Sequence, residues 1–280
     1  MQKTFRFSSF FLNSKQQAKQ KDRMNFNSSC LCFILDDFDI FKTAVRGFYP
    51  ELYDKPAERI SDFYSDYVST YIARDVSEMI NLKDKDKFMR LLEITASLTG
   101  QELVYSTISN AVGVDIKTVK SWLEVLISGN IIRLIQPYYE NSAVKRIVKH
   151  PKIYFCDTGL ACYLARITDA ETLRASYLGG HMAETFIINE IIKTYTNNRE
   201  PAGFYYYRDS NGNEIDFIIL SEGELTLIEC KSGIEYRKQD INSFRVLKSN
   251  YKIGASCLIC STETPYPIDN GAYAIPASSI

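Results

Sequence analysis

Histidine and tryptophan are scarce in this 280-residue chain, which holds two His and one Trp. His150 and His181 stand at no paired spacing, so histidine does not point to a zinc site. Seven cysteines are an odd number at scattered positions. The one Cys-x-x-Cys, Cys257-Leu-Ile-Cys260, lies in an apolar strand-like run, where residues three apart face opposite ways. Buried thiols fit that run better than a metal knuckle, and a reducing cytoplasm is the expected compartment. No apolar run reaches the roughly 18 residues that a membrane-spanning helix needs, so no membrane partner is expected. Net charge is -1, so no global field draws the chain to nucleic acid or membrane, and any such surface must be a local patch. The first 23 residues carry Lys3, Arg6, Lys15, Lys19, Lys21 and Arg23 against Asp22. They lack the apolar core and cleavage site of a signal peptide. No Gly-x-x-x-x-Gly-Lys-Ser/Thr loop occurs, so no ATP-binding residues are expected.

The stretch from Gly212 to Ser232 carries the chemistry. Two apolar runs flank Ser221-Glu222-Gly223-Glu224, which is the pattern of a β-hairpin with a short loop. Strand alternation puts Glu214, Asp216, Ile218 and Leu220 on one face. It likewise groups Leu225, Leu227, Glu229 and Lys231. Acids among aliphatic neighbours need a counter-charge or a bound cation.

In chain order, residues 1–36 read as a disordered or atypical extension, and Met24 is an alternative start. Residues 37–80 read as helical, with Pro56 suited to a first turn. The stripe Ile60, Phe63, Tyr64, Tyr67, Val68, Tyr71 and Ile72 reads as a core face, with base stacking as the alternative. Residues 81–160 read as a winged-helix domain. One short helix closes at Gly113, Asp115 caps a second, and strands follow at Ile131–Ile135 and from Lys152. In a DNA-binding domain of this kind the second helix enters the major groove, presenting Lys117, Thr118, Lys120 and Ser121. Lys145, Arg146, Lys149 and Lys152 would sit near the wing. Winged helices also serve as protein–protein spacers, and that alternative stays open. Asp157 or Thr158 caps the next helix.

Residues 161–280 read as helix, three strands, helix, strand, which is an α/β domain with a mixed sheet. Glu184 lies on the apolar face of its helix, with Ile187, Ile188 and Ile191. Glu184, Asp216, Glu229 and Lys231 thus form a candidate catalytic set. Asp216, Glu229 and Glu184 are the candidate ligands for Mg²⁺, a hard cation that prefers carboxylate oxygens. Such an ion polarises a phosphodiester and activates water, while a lysine neutralises developing charge. An ion-paired sheet face is the structural alternative.

Glu184, Asp216 and Glu229-Cys-Lys231, placed on helix, strand and strand, resemble the PD-(D/E)XK nuclease superfamily. A longer series is similar to the C-terminal part of a prokaryotic family of AAA-type ATP-binding proteins. It comprises Phe48-Tyr-Pro-Glu51, Tyr67-Val-Ser-Thr-Tyr-Ile-Ala-Arg-Asp75, Lys152-Ile-Tyr-Phe-Cys-Asp-Thr-Gly-Leu160, Tyr207-Arg-Asp-Ser-Asn-Gly-Asn-Glu-Ile-Asp-Phe217 and Ile228-Glu-Cys-Lys-Ser232. That resemblance implies a helical remnant of the ATPase lid over 37–80, a winged helix, and a nuclease-like domain of unknown reaction. With the ATPase core absent, it implies a truncated member, or one served by a separate ATPase module. The expected function is DNA binding with a Mg²⁺-dependent nuclease-like domain. The alternative is a catalytically inactive DNA- or protein-binding module.

Overall fold

The computed structural model describes residues 38–53, 55–70, 84–139, 150–234, 236, 238–248 and 251–280. The expected N-terminal extension, the continuation of the 56–80 helix beyond Thr70, and Lys145, Arg146 and Lys149 lie outside these residues. The chain is an α/β protein with a mixed sheet, as its element pattern led us to expect. It forms two compact units, Phe41–Phe186 and Ile187–Ile280, with residues 38–40 grouped with the second.

In the first unit, helix α1 (Ile40–Arg46) stops at Gly47, whose φ of +76° only glycine adopts cheaply. The Arg46 guanidinium then donates to the backbone carbonyls of Leu52, Tyr53 and Lys55 at 2.5–3.1 Å, gathering the loop that follows. Pro56 precedes a 3₁₀ turn (Ala57–Arg59) that runs into α2 (Ile60–Tyr67). The aromatic stripe of α2 is a core face at Tyr64 and Val68, while Phe63 and Tyr67 are half-buried beside Tyr49.

Next come α3 (Lys85–Ser97), strand β1 (Gln101–Glu102), α4 (Tyr105–Val112) and α5 (Ile116–Ser128). Strands β2 (Ile132–Pro137) and β3 (Lys152–Phe155) follow. Local signals set these boundaries as expected. Gly113 ends α4 in the left-handed conformation, and Asp115 caps α5 by accepting from the Thr118 N–H at 3.0 Å. The strands pair antiparallel in the order β1-β3-β2. Phe88, Leu91, Leu92, Ile108, Val119, Leu123, Leu126 and Ile153 fill the core beneath them.

Asp157 ties the early helices to the rest of this unit. It caps α6 (Thr158–Leu164) by accepting from the Leu160 N–H at 2.8 Å. The same carboxylate accepts from the Tyr64 hydroxyl at 2.7 Å and from the Phe48 N–H at 2.7 Å. A Cβ at Gly47 or Gly159 would overlap the Tyr64 hydroxyl, so both positions hold the closest approach that the packing allows. A short helix, α7 (Ala170–Ala175), follows, capped by Asp169.

Helix α8 (Leu178–Asn197) carries the chain from the first unit into the second. There the sheet order is β4-β5-β6-β7-β9-β8. Its strands are β4 (Gly203–Arg208), β5 (Glu214–Ser221), β6 (Glu224–Cys230), β7 (Ile253–Cys260), β8 (Tyr266–Pro267) and β9 (Tyr273–Pro276). The expected hairpin is β5–β6. Its two-residue loop, Glu222-Gly223, has φ of +53° and +77°, the signature of a type I′ turn. Pairs β4–β5, β5–β6 and β8–β9 are antiparallel, whereas β6–β7 and β7–β9 are parallel. The parallel step from β6 to β7 requires a crossover, which contains a 3₁₀ turn (Lys238–Ile241) and helix α9 (Phe244–Lys248) in place of one expected helix. Residues 217–219 and 227–230 are buried without alternation, as expected of central strands covered on both faces.

Replacing Asp157 by Ala removes one cap and two further acceptor contacts from a buried position. Urea denaturation should show a loss of about 2–4 kcal/mol. A loss below about 1 kcal/mol would show that Asp157 does not organise this unit.

Candidate functional site

The hairpin register fixes the geometry of the candidate site. Ile218 pairs with Leu227 and Leu220 with Leu225, so the Glu214/Asp216 set and the Glu229/Lys231 set share one face. The printed ladder ends at Phe217 opposite Ile228. Beyond it the Asp216 carboxylate, through Oδ2, accepts the Cys230 N–H at 2.9 Å. Asp216 is thereby fixed to the strand that bears Glu229.

Glu229 is buried, and its Oε1 accepts from the Lys231 ammonium at 3.0 Å. Burial by itself lowers the pKa of the Lys231 ammonium. The charge and hydrogen bond of Glu229 outweigh that effect, with Asp216 and Asp240 adding, and the net shift is upward. Lys231 therefore stays protonated at neutral pH and acts as a fixed cation and hydrogen-bond donor. Asp240, in the 3₁₀ turn after β6, is a participant that sequence reading missed. It lies in a loop without periodicity, so only its acidity marked it.

Glu184 is buried on α8 as expected. Its Oε1 accepts from Lys152 Nζ at 3.1 Å and from the Tyr154 hydroxyl at 2.5 Å. Lys152, expected near the wing, thus faces the protein interior. It is 4% exposed and forms a buried ion pair. Lys-Ile-Tyr within an apolar strand was the available signal, because a lysine facing inward requires a counter-ion.

Among the described residues, no three or more His, Cys, Asp and Glu side chains gather so as to hold a metal ion. The Asp216–Glu229 face offers two carboxylates. That matches the protein share of many Mg²⁺ sites, where waters and substrate phosphates complete the coordination.

On α5, Lys117, Lys120 and Ser121 are exposed. Thr118 is engaged in the cap, its hydroxyl donating to Asp115 Oδ2 at 2.7 Å. Lys120 Nζ lies 5.1 Å from the centre of the Tyr105 ring. Lys117 and Ser121 have the freer side chains. Among the described residues, no helix is long and apolar enough to cross a membrane.

Two family descriptions match this α/β chain in succession. Residues 37–171 match a domain of unknown function (DUF8612), and residues 179–280 match a second domain of unknown function (DUF4143). The chain is also similar to the uncharacterized protein Rv2008c of Mycobacterium tuberculosis and the uncharacterized protein Mb2031c of Mycobacterium bovis. Each is 23% identical over 241 residues, covering 84% of this chain and 52% of the relative. The chain thus spans about half the length of the curated relatives it matches. No solved structure gives a significant match.

The raised pKa of Lys231 means that its ion pair stabilises the fold fully below the unfolded-chain value of about 10.4. That contribution disappears as pH rises through the higher folded value. Glu229→Gln removes the main opposing charge and leaves burial to dominate. Lysine-selective NMR titration should then find the Lys231 pKa lower than in the parent. An unchanged titration would show that Glu229 does not hold this ammonium.

Proposed function

We propose that this chain binds nucleic acid and carries a Mg²⁺-dependent, nuclease-like phosphodiester site on its C-terminal sheet. The observation that carries the reading is the placement of Lys231 with Glu229 and Asp216 on one face of the β5–β6 hairpin. Asp216 and Glu229 would hold the ion, which when bound polarises the phosphodiester and lowers the pKa of a bound water. Lys231, protonated at neutral pH, offers its charge to phosphoryl oxygens as negative charge builds. Its raised pKa suits electrostatic stabilisation and argues against a role as general base.

The element order supports the finer domain readings. The sequence α3, β1, α4, α5, β2, β3 with antiparallel order β1-β3-β2 matches a winged helix, with α5 as its recognition helix. The sequence α8, β4, β5, β6, α9, β7 matches the helix, three strands, helix, strand order of PD-(D/E)XK nucleases. The resemblance to the C-terminal part of AAA-type proteins, together with relatives about twice as long, supports a partnership with an ATPase module.

A second reading has its own support. Glu184, the expected third acid, is held by Lys152 and Tyr154, and no three-acid group is found among the described residues. That arrangement favours a catalytically silent binding module on the same fold.

Incubation with duplex and single-stranded DNA in millimolar Mg²⁺ or Mn²⁺ separates the two readings. The nuclease reading expects metal-dependent cleavage that Asp216→Asn and Lys231→Met each reduce on the order of 10²-fold or more. Tight DNA binding without cleavage in either metal would leave the binding module. Substituting Lys117 and Lys120 together by Ala should weaken DNA binding at low salt, as measured by fluorescence anisotropy, with a smaller effect at higher salt. Unchanged affinity would remove α5 from the interface.

A further inference from the structure

A groove of about 460 Å³ lies between the segment that opens with the 3₁₀ turn Pro50–Leu52 and one face of α2. That volume is within the range of about 300–1,000 Å³ that ligand sites occupy. On and just after α2, Asp62, Phe63, Asp66, Tyr67 and Thr70 recur at spacings of three and four, so they line up along the groove. Glu51 and Lys55 form the opposite wall, and Arg59 stands at the start of α2. Three acids thus face two bases, leaving one negative charge in excess. Lys55 is taken by Glu51 at 2.5 Å, and Arg59 lies 3.9 Å from Asp62. Asp66 is the acid left over. It is exposed, and among the described residues its carboxylate enters no ion pair or hydrogen bond. The half-buried rings of Phe63 and Tyr67 lie beside it, 15° from parallel with centres 6.3 Å apart. Lys55 Nζ stands 5.4 Å from the centre of the Phe63 ring, so this aromatic wall already holds one cation.

The charge decides what such a wall can receive. A nucleic-acid strand would find rings to stack on, but its phosphates would meet the excess acid. A cation gains from the rings and the carboxylate together. Among cations a guanidinium fits best, since it is planar, weakly hydrated, stacks on aromatic rings and engages a carboxylate through two parallel N–H bonds. The exposure of Glu51, Arg59, Asp62, Asp66 and Thr70 bears on what carries it. Sites for free small ligands bury some 70–90% of the ligand, which walls this open do not do. An arginine presented by a protein adds contacts around the groove, and Tyr53, between Glu51 and Lys55 in the chain and 65% exposed, is available for them. We propose that this groove receives an arginine side chain of a partner protein, its guanidinium paired with Asp66 and stacked against the Phe63–Tyr67 wall. The proposal is independent of the phosphodiester reading above and of the surface of α5.

The test measures binding of the full chain, at low salt, to a labelled and otherwise neutral peptide with one central arginine, by fluorescence anisotropy. Companion peptides carry lysine or the uncharged isostere citrulline at that position, and N-acetyl-arginine amide serves as the small-molecule competitor. The arginine peptide should bind more tightly than the lysine peptide, and the citrulline peptide should lose binding. Asp66→Asn should weaken the arginine peptide severalfold, as should Tyr67→Leu, with thermal melting verifying that each variant is folded. Asp66 is exposed, so Asp66→Asn keeps the test valid if Tyr67→Leu does not fold. Equal binding of the arginine and citrulline peptides, no loss in Asp66→Asn, or no binding at millimolar peptide would each overturn the proposal. N-acetyl-arginine amide competing as well as the peptide would overturn it in favour of a small-molecule site. A single-stranded oligonucleotide that binds more tightly than the peptide and is lost in Tyr67→Leu would overturn it in favour of base stacking.

Discussion

The carboxylate of Asp157 joins three separate stretches of the first unit. It receives a helix N–H three residues ahead, a hydroxyl from α2, and a backbone N–H 109 residues earlier in the chain. A carboxylate so placed has its hydrogen-bonding capacity spent on protein groups, which is how a nearly buried acid becomes tolerable. The cost is steric. Gly47 and Gly159 must both lack a side chain for the Tyr64 hydroxyl to enter. Burial first, then the charge of Asp157, keeps that phenol from ionising, so Tyr64 remains a donor at any physiological pH.

The same physics gives different results at the other acids of the chain. Glu184 faces a buried lysine and a tyrosine and accepts a hydrogen bond from each. Glu229 faces Lys231 at the end of a strand, where the lysine side chain is 37% exposed and still open to a partner. Asp216 takes a backbone N–H in place of a ladder bond. On the hairpin, a buried carboxylate and a partly exposed ammonium therefore stand side by side. Replacing a buried ion pair is seldom gentle, because the remaining charge is left without a partner.

Much of this organisation was legible in the residues. Gly113, Asp115 and Asp157 marked helix ends because they act through backbone groups within a few positions. The β5–β6 hairpin was legible because alternation and a Glu-Gly loop are local features. The face shared by Asp216 and Glu229 followed from strand period, which the register then bore out. The split crossover at Lys238–Lys248 and the short strand β8 were not foreseen, since neither carries a clear period.

By itself, then, the sequence determined the main helices and strands, the caps at Asp115 and Asp157, the hairpin and the acids that turn inward, because each depends on spacing along a few residues. Only the tertiary structure decided the partners. Lys152 became the counter-ion of Glu184 32 positions away, Asp240 came to act on Lys231, and Arg133 was left with a buried, unused donor. Those outcomes depend on which strand lies beside which and on what covers each face. Charges meet through space, and a linear pattern records that a charge is turned inward without recording what it will meet.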